Sequence, residues 1–380
     1  MSTACGGVDV GGDGGDESSD EGGSIFIGEG GSSEGGEDDG LYDEDPAAVC
    51  DLSPFICPHA LQRPLMLVLD NSYSMRGQRV SEWDHDHDVE TPEVTRWRSL
   101  HRTLINVMPS LVQEREVGAT LFPAFAPEQA EAPLCSVAAA PEIGLGEDWE
   151  TAAYARKIPL SFDNVPGGGA PAAAGVEAAL AALEAHGGEV PGAIVLITDG
   201  PANCGGEADV QDPRLAEVIA GARARGILTY VIGMDIAEGV VSPEVDWLPD
   251  GVSAVDVRAA LGELATLGGT AQTGSTAFFD VQDEDALAIA LWDVSVQANI
   301  CMFEFDVAID EQYTFDGIRV SIDDQFVDYG AQPVADCASE SGWRFTDDSR
   351  TRVELCGDAC SLLQAGWGVG FRVWCPAASW

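Results

Sequence analysis

The sequence predicts an α/β fold built on a doubly wound, mostly parallel sheet. Two patterns carry that expectation. Continuous apolar runs end abruptly in polar loops, as strands buried on both faces do. Helical patterns of ordinary length lie between those runs, and strands alternating with helices imply a helix-covered parallel sheet. The chain has 380 residues, 45% of them hydrophobic, enough to bury a sizeable core.

The elements follow in order. Arg63-Pro64 leads into Leu65-Met66-Leu67-Val68-Leu69, a buried strand. Trp97, Leu100, Leu104, Val107, Met108 and Leu111 recur near helical spacing and predict a helix over 97–112. Val117–Phe122 is a second strand. Pro171 is a good helix-start residue for the Ala- and Leu-rich helix at 172–185. Ala193–Ile197 and Ile227–Gly233 are further strands, and 215–225 and 256–267 further helices. Residues 299–380 read as a small all-β, disulfide-braced unit. Its candidate strands lie in Cys301–Val307, Ile318–Ile322, Gln325–Val327, Gly342–Phe345, Arg352–Leu355 and Gly370–Trp374. Asp323-Asp324 signals a hairpin between the second and third of these. The expected organisation is a tether at 1–48, a Cys-flanked lead-in at 49–62, the α/β domain at 63–298 and the β unit at 299–380.

Charge removes whole classes of partner. The chain carries 18 Lys+Arg against 65 Asp+Glu, a net charge of -47. Nucleic acid and anionic lipid surfaces are repelled by such a chain. No run of about 18 apolar residues is present, so no membrane-spanning helix is expected. Residues 1–48 hold 14 acids, 14 glycines and no basic residue. Acidic, glycine-rich sequence has too little to bury to offset the entropy of ordering, so a disordered tether is expected. Ser2-Thr3-Ala4-Cys5-Gly6-Gly7 resembles the end of a bacterial lipoprotein signal, which makes Cys5 the lipidation candidate. The basic and apolar regions that precede such a cysteine are not in the sequence. Either the start codon lies further upstream or the resemblance is accidental.

The chemistry lies where the first strand ends. Asp70-Asn71-Ser72-Tyr73-Ser74 places a carboxylate and two hydroxyls at alternate positions just past a strand's C-terminal end, where open α/β sheets bind ligands. These are hard oxygen donors, suited to Mg²⁺, Mn²⁺ or Ca²⁺. Asp199-Gly200 follows the Ala193–Ile197 strand in the same way.

Asp70-x-Ser72-x-Ser74 with Asp199-Gly200 resembles the metal-ion-dependent adhesion site of a von Willebrand factor type A domain. The likeness runs over roughly 61–298, through Gly167-Gly168-Gly169 to the closing segment 264–279, where Gly268-Gly269-Thr270 precedes a last strand. Leu121-Phe122-Pro123, Cys135 and Pro201-Ala202-Asn203-Cys204 resemble a secreted bacterial branch. The resemblance implies a divalent metal held by Asp70, Ser72, Ser74 and Asp199. It also implies a protein partner that offers an Asp or Glu carboxylate to the metal's open position. Asn71 and Tyr73 sit between the ligands and are candidate partner contacts. One position departs from the pattern: Ala170 stands where the family usually has a threonine, and a methyl group offers no oxygen.

Asp84, Asp86 and Asp88 alternate in a second acidic cluster, a candidate calcium loop. An EF-hand would need Gly and Glu where Val89 and Thr95 stand, so that motif is excluded. A solvated insertion is the rival reading. His85 and His87 offer a further alternative, a transition-metal site. No Ser-His-Asp or Cys-His arrangement and no phosphate-binding loop is present, so no enzyme is expected.

Ten cysteines suit an oxidising compartment. Cys50 and Cys57 flank a short Pro-containing segment and can pair. Cys135 and Cys204 both follow strand ends, and their pairing would brace the Asp199 loop. Cys301, Cys337, Cys356, Cys360 and Cys375 have no assignable partners, and one thiol is left over. The expectation is an exported binding protein of the periplasm or outer surface, tied to a membrane only through Cys5. The alternative is a scaffold with a degenerate metal site.

Overall fold

A computed structural model describes residues 58–77, 81–124, 135–147, 149, 154, 156–158, 160, 169–204, 211–241, 255–305, 318–322, 333–337, 339–365 and 369–373. The expected tether, Gln325–Val327, Gly167, Gly168, Cys5, Cys50, Cys57 and Cys375 lie outside the described residues.

In chain order the elements are β1 (Pro58–Gln62), β2 (Leu65–Asp70), α1 (Tyr73–Arg76), β3 (Glu82–Trp83), β4 (Val94–Thr95), α2 (Arg96–Glu114) and β5 (Val117–Phe122). Next come α3 (Ala172–His186), β6 (Ala193–Thr198), α4 (Arg214–Ala224), β7 (Leu228–Met234), β8 (Val240–Val241) and β9 (Val255–Asp256). Then follow α5 (Val257–Gly268), β10 (Phe279–Val281), α6 (Glu284–Gln297), β11 (Asn299–Phe305) and β12 (Ile318–Ile322). The last are β13 (Gly342–Phe345), β14 (Arg352–Cys356), α7 (Asp358–Gln364) and β15 (Val369–Val373).

The chain divides into two units. The first spans Gln62–Ser295. Its central sheet is parallel, in the order β5-β2-β6-β7-β10. Counted along the chain this is 2-1-3-4-5, an order whose winding reverses between the first and third strands, here β2 and β6. All of β2, β5 and β6 is buried. Met66, Val68, Ile194, Leu196 and Val231 share one apolar cluster with α3, α4 and α5. Leu65, Leu67, Leu69, Val195 and Ile197 point to the opposite face and are equally buried. The buried stripes of α2 (Trp97, Leu100, Leu104, Met108, Leu111) and α6 (Leu287, Leu291, Val294) form the second helical layer.

The helix ends follow local chemistry. Thr95 caps α2, its hydroxyl accepting from the Arg98 amide at 3.2 Å, and Asp256 caps α5 through the Ala259 amide at 3.0 Å. α3 begins directly after Pro171 and stops at Gly187, whose φ of 69° is left-handed and favours a residue without a Cβ.

The second unit combines the chain from Val296 with the described residues before Gln62. Its main sheet has the order β1-β11-β14-β13. The described end of the lead-in, Pro58–Gln62, is therefore an edge strand of this sheet. Cross-strand ion pairs Arg344–Glu354 and Arg352–Glu304 sit directly opposite one another in register. The unit is β-rich but not purely so: α7 contributes Ala359 and Leu363 to the cluster of Phe303, Phe305, Trp343, Val353 and Leu355. Disulfides Cys301–Cys360 and Cys337–Cys356 brace it. β12 pairs antiparallel with β15.

Candidate metal centre

Asp70 is the last residue of β2 and Asp199 the first after β6, so both stand at the carboxyl edge where the winding reverses. Register brings their neighbours together. Leu69 lies opposite Ile197, which sets Thr198 beside Asp70, and the Thr198 hydroxyl donates to Asp70 Oδ2 at 2.6 Å. The other Asp70 oxygen accepts from the Ser72 amide at 2.8 Å. Ser72 Oγ lies 2.9 Å from Ser74 Oγ, and Ser74 Oγ donates to Asp199 Oδ1 at 2.8 Å. The four predicted ligands are thus joined in one hydrogen-bonded row.

The row is dry at both ends. Asp70 is 0% exposed and the Asp199 side chain 2%. Burial, reinforced by the Asp199 charge, pushes the Asp70 carboxyl up to about 7. Burial also raises Asp199, while Arg96 and the Ser74 hydroxyl pull it back. Two neighbouring buried carboxylates, both raised, are relieved by a proton or by a counter-charge. With two hydroxyls between them, the donor set is all hard oxygen and fits a divalent cation of the Mg²⁺ or Mn²⁺ kind.

Three further residues meet at the site. Thr198 braces Asp70. Arg96, first in α2, donates from Nη1 to Asp199 Oδ2 at 3.4 Å and to the Ser74 carbonyl at 3.3 Å. Its Nε and Nη2 bond to Asp235 Oδ2, the Nε contact at 3.1 Å. Asp235 directly follows β7. Only that position, one past a strand end like Asp199, could have marked it in the sequence.

Several expectations change. Asn71 is 2% exposed, and its Nδ2 donates to the Pro123 carbonyl at 3.2 Å. It ties two strand ends together and does not face a partner. Tyr73, by contrast, is 39% exposed. Ala170 is buried in the apolar cluster. Its amide donates to Asn203 Oδ1 at 2.7 Å, and its carbonyl accepts from the Asn203 amide at 3.0 Å. These bonds lock the glycine-run loop to the loop that follows Asp199. The approach is so close that a Cβ on Gly169 would fall 2.5 Å from Asn203 Oδ1. The Cys135–Cys204 disulfide forms here, as positions after two strand ends predicted.

Asp84, Asp86 and Asp88 do not converge. Among the described residues the one group of three His, Cys, Asp or Glu side chains with ligand atoms within 4.8 Å is Cys337, Glu354 and Cys356, whose cysteines are paired. Asp86 instead accepts from the Thr91 hydroxyl at 2.7 Å, which lowers its carboxyl, and Asp88 accepts from the Glu90 amide at 2.9 Å. The loop docks on α6: the His85 carbonyl accepts from the Glu284 amide at 3.0 Å, and His87 Nε2 lies 3.0 Å from Asp283. The solvated insertion is the reading that matches this geometry.

No described helix is long and apolar enough to cross a membrane. Three disulfides among the described residues fit an oxidising compartment.

No family model matches the chain, and no curated protein matches it. Among solved structures it is similar to the conserved hypothetical protein BatB from Bacteroides thetaiotaomicron, at 16% identity and TM-score 0.37, covering 60% of this chain and 97% of that one. It is similar to the pilus adhesin SpaC from Lactobacillus rhamnosus GG at 15% identity and TM-score 0.42, covering 82% and 39%. Proximal thread matrix protein 1 from the mussel byssus, described with a zinc-occupied MIDAS motif, aligns at 15% identity and TM-score 0.34, covering 62% and 45%. These are likenesses only.

Proposed function

We propose that the chain is a non-enzymatic, extracytoplasmic binding protein that recognises a protein partner through a divalent metal at a site of the von Willebrand factor type A kind. One observation carries the reading: Asp70, Ser72, Ser74 and Asp199 lie in a single hydrogen-bonded row at the point where the sheet's winding reverses. Asp70, Ser72, Ser74 and Asp199 would hold the cation. When bound, it supplies an open position for a carboxylate. The chain's own part is to hold the donors in place. Thr198 and the Ser72 amide fix the Asp70 oxygens, the Ser74 hydroxyl meets Asp199, and the rim residue Tyr73 meets the partner. An exported protein anchored through a lipid at Cys5 belongs to the same reading, as does selection of partners with exposed Asp or Glu.

A scaffold with a degenerate site is favoured by one observation, the Ala170 methyl group. Calorimetric titration with Mg²⁺ and Mn²⁺ against an Asp70→Ala control separates the two. Binding heat in the wild type that vanishes in the variant supports the metal reading. Equal heats, or none in either protein, support the scaffold.

A further inference from the structure

Arg96 is an unusual neighbour for a cation site. It is the first residue of α2, its amide donates to the Ser81 carbonyl at 2.8 Å, and its side chain is 14% exposed. The guanidinium therefore starts from a fixed point and reaches the site's edge across little solvent. There it contacts both ligand-bearing loops, through the Ser74 carbonyl and Asp199 Oδ2. Its firmer partner is Asp235, bonded through both Nε and Nη2. Asp235 is held at a φ of 50°, a left-handed conformation uncommon for a residue with a Cβ, and its amide donates to the Val281 carbonyl at 2.8 Å. Such strain persists where surrounding structure demands it, often at working sites.

The two contacts differ in kind. The Asp235 link is bidentate from the donor side, whereas the Asp199 link is a single bond at 3.4 Å. A fork-shaped, permanently charged group can give up the second while keeping the first. A cation arriving beside Asp199 meets a positive charge already there, and like charges in a poorly solvated site weaken each other's binding.

We propose that Arg96 is a built-in competitor for the metal site: it neutralises Asp199 in the metal-free chain, withdraws to Asp235 when a divalent cation binds, and so sets the cation concentration at which the site fills. The inference rests on the metal reading of Asp70, Ser72, Ser74 and Asp199. It assigns a regulatory role to Arg96 and a docking role to Asp235.

The test is calorimetric titration of full-length protein with Mn²⁺ alone, on wild type, Arg96→Gln, Asp235→Asn and the double variant. Arg96→Met, which keeps the side-chain stem, serves where the Gln variant fails to fold. Removing Arg96 is expected to tighten Mn²⁺ binding by about tenfold or more. Asp235→Asn is expected to weaken it, because Arg96 is left with Asp199 as its acceptor. In the Arg96→Gln background that weakening should shrink to within about threefold, since interacting residues are non-additive. Melting in EDTA gives a second readout: Arg96→Gln is expected to lower Tm, and saturating Mn²⁺ to restore it. Equal or weaker Mn²⁺ binding by Arg96→Gln and Arg96→Met, with the wild type binding normally, overturns the competitor role and leaves the metal reading standing. An equal effect of Asp235→Asn with and without Arg96 overturns the docking role. Absence of Mn²⁺ binding in all variants overturns the metal reading itself, and the proposal with it.

Discussion

Replacing Asp70 with asparagine should stabilise the metal-free protein at neutral and alkaline pH while removing a carboxylate from the candidate metal site. Asp70 is fully buried, and its carboxyl is pushed from 3.8 up to about 7. A raised carboxyl favours the folded chain while it is protonated. That contribution is complete below the unfolded value near 3.8 and is lost as pH rises through about 7. The displacement corresponds to a folded-state cost on the order of 4 kcal/mol at pH 8. Asparagine escapes the charge yet keeps an acceptor for the Ser72 amide, now 2.8 Å from Oδ1. The Thr198 hydroxyl can turn from Asp70 to the Gly200 carbonyl at 3.2 Å. Burying the amide nitrogen returns part of the gain, leaving about 2 kcal/mol net. For a unit of this size that is roughly 4–8 °C in Tm. The assay is thermal unfolding followed by near-ultraviolet circular dichroism in EDTA, from pH 5 to pH 8. The two proteins should melt together at pH 5 and separate progressively above it, with the asparagine variant higher. Parallel curves, with one constant offset at every pH, would refute a raised Asp70.

Other expected outcomes follow from single contacts. Removing Cys135–Cys204, which spans 69 residues, should cost about 4 kcal/mol by loop-closure entropy. It should also weaken Mn²⁺ binding, because Cys204 belongs to the loop that follows Asp199; calorimetry of Cys135→Ser/Cys204→Ser reads both effects. Ser99→Ala leaves the buried Trp83 indole N–H without its 2.9 Å partner and should cost about 1–3 kcal/mol by urea denaturation. Gly233→Ala should cost about 1–3 kcal/mol in the same assay, since its Cβ would fall 2.7 Å from the Phe278 ring and 2.8 Å from Ile236.

The sequence made the sheet legible for a physical reason. Strands buried on both faces are written as unbroken apolar runs, so β2, β5, β6 and β7 stand out, and helices between them show their 3.6-residue stripe. The candidate ligands Asp70, Ser72, Ser74 and Asp199 could be singled out because they cluster at the ends of two apolar strands. Arg96 and Asp235 could not, because their meeting depends on the order of strands in the sheet and on where α2 starts. Neither is written in local sequence. Asn71 was misplaced for the opposite reason: position between two candidate ligands says nothing about which way a side chain turns, and Asn71 turns inward to Pro123. The pairings Cys301–Cys360 and Cys337–Cys356 depend on β11, α7 and β14 coming together, which spacing alone does not encode. α7 was missed because seven residues are too few to establish a helical stripe against the strand pattern around it.

The most direct test of the central claim is a crystal of the full chain grown with Mn²⁺ and acetate, measured for anomalous scattering. The expected result is a peak about 2 Å from the Ser72 and Ser74 hydroxyls, flanked by Asp70 and Asp199, with an acetate oxygen on the open side and Arg96 turned to Asp235. No peak there, or a peak confined to the acidic loop at Asp84–Asp88, would contradict it.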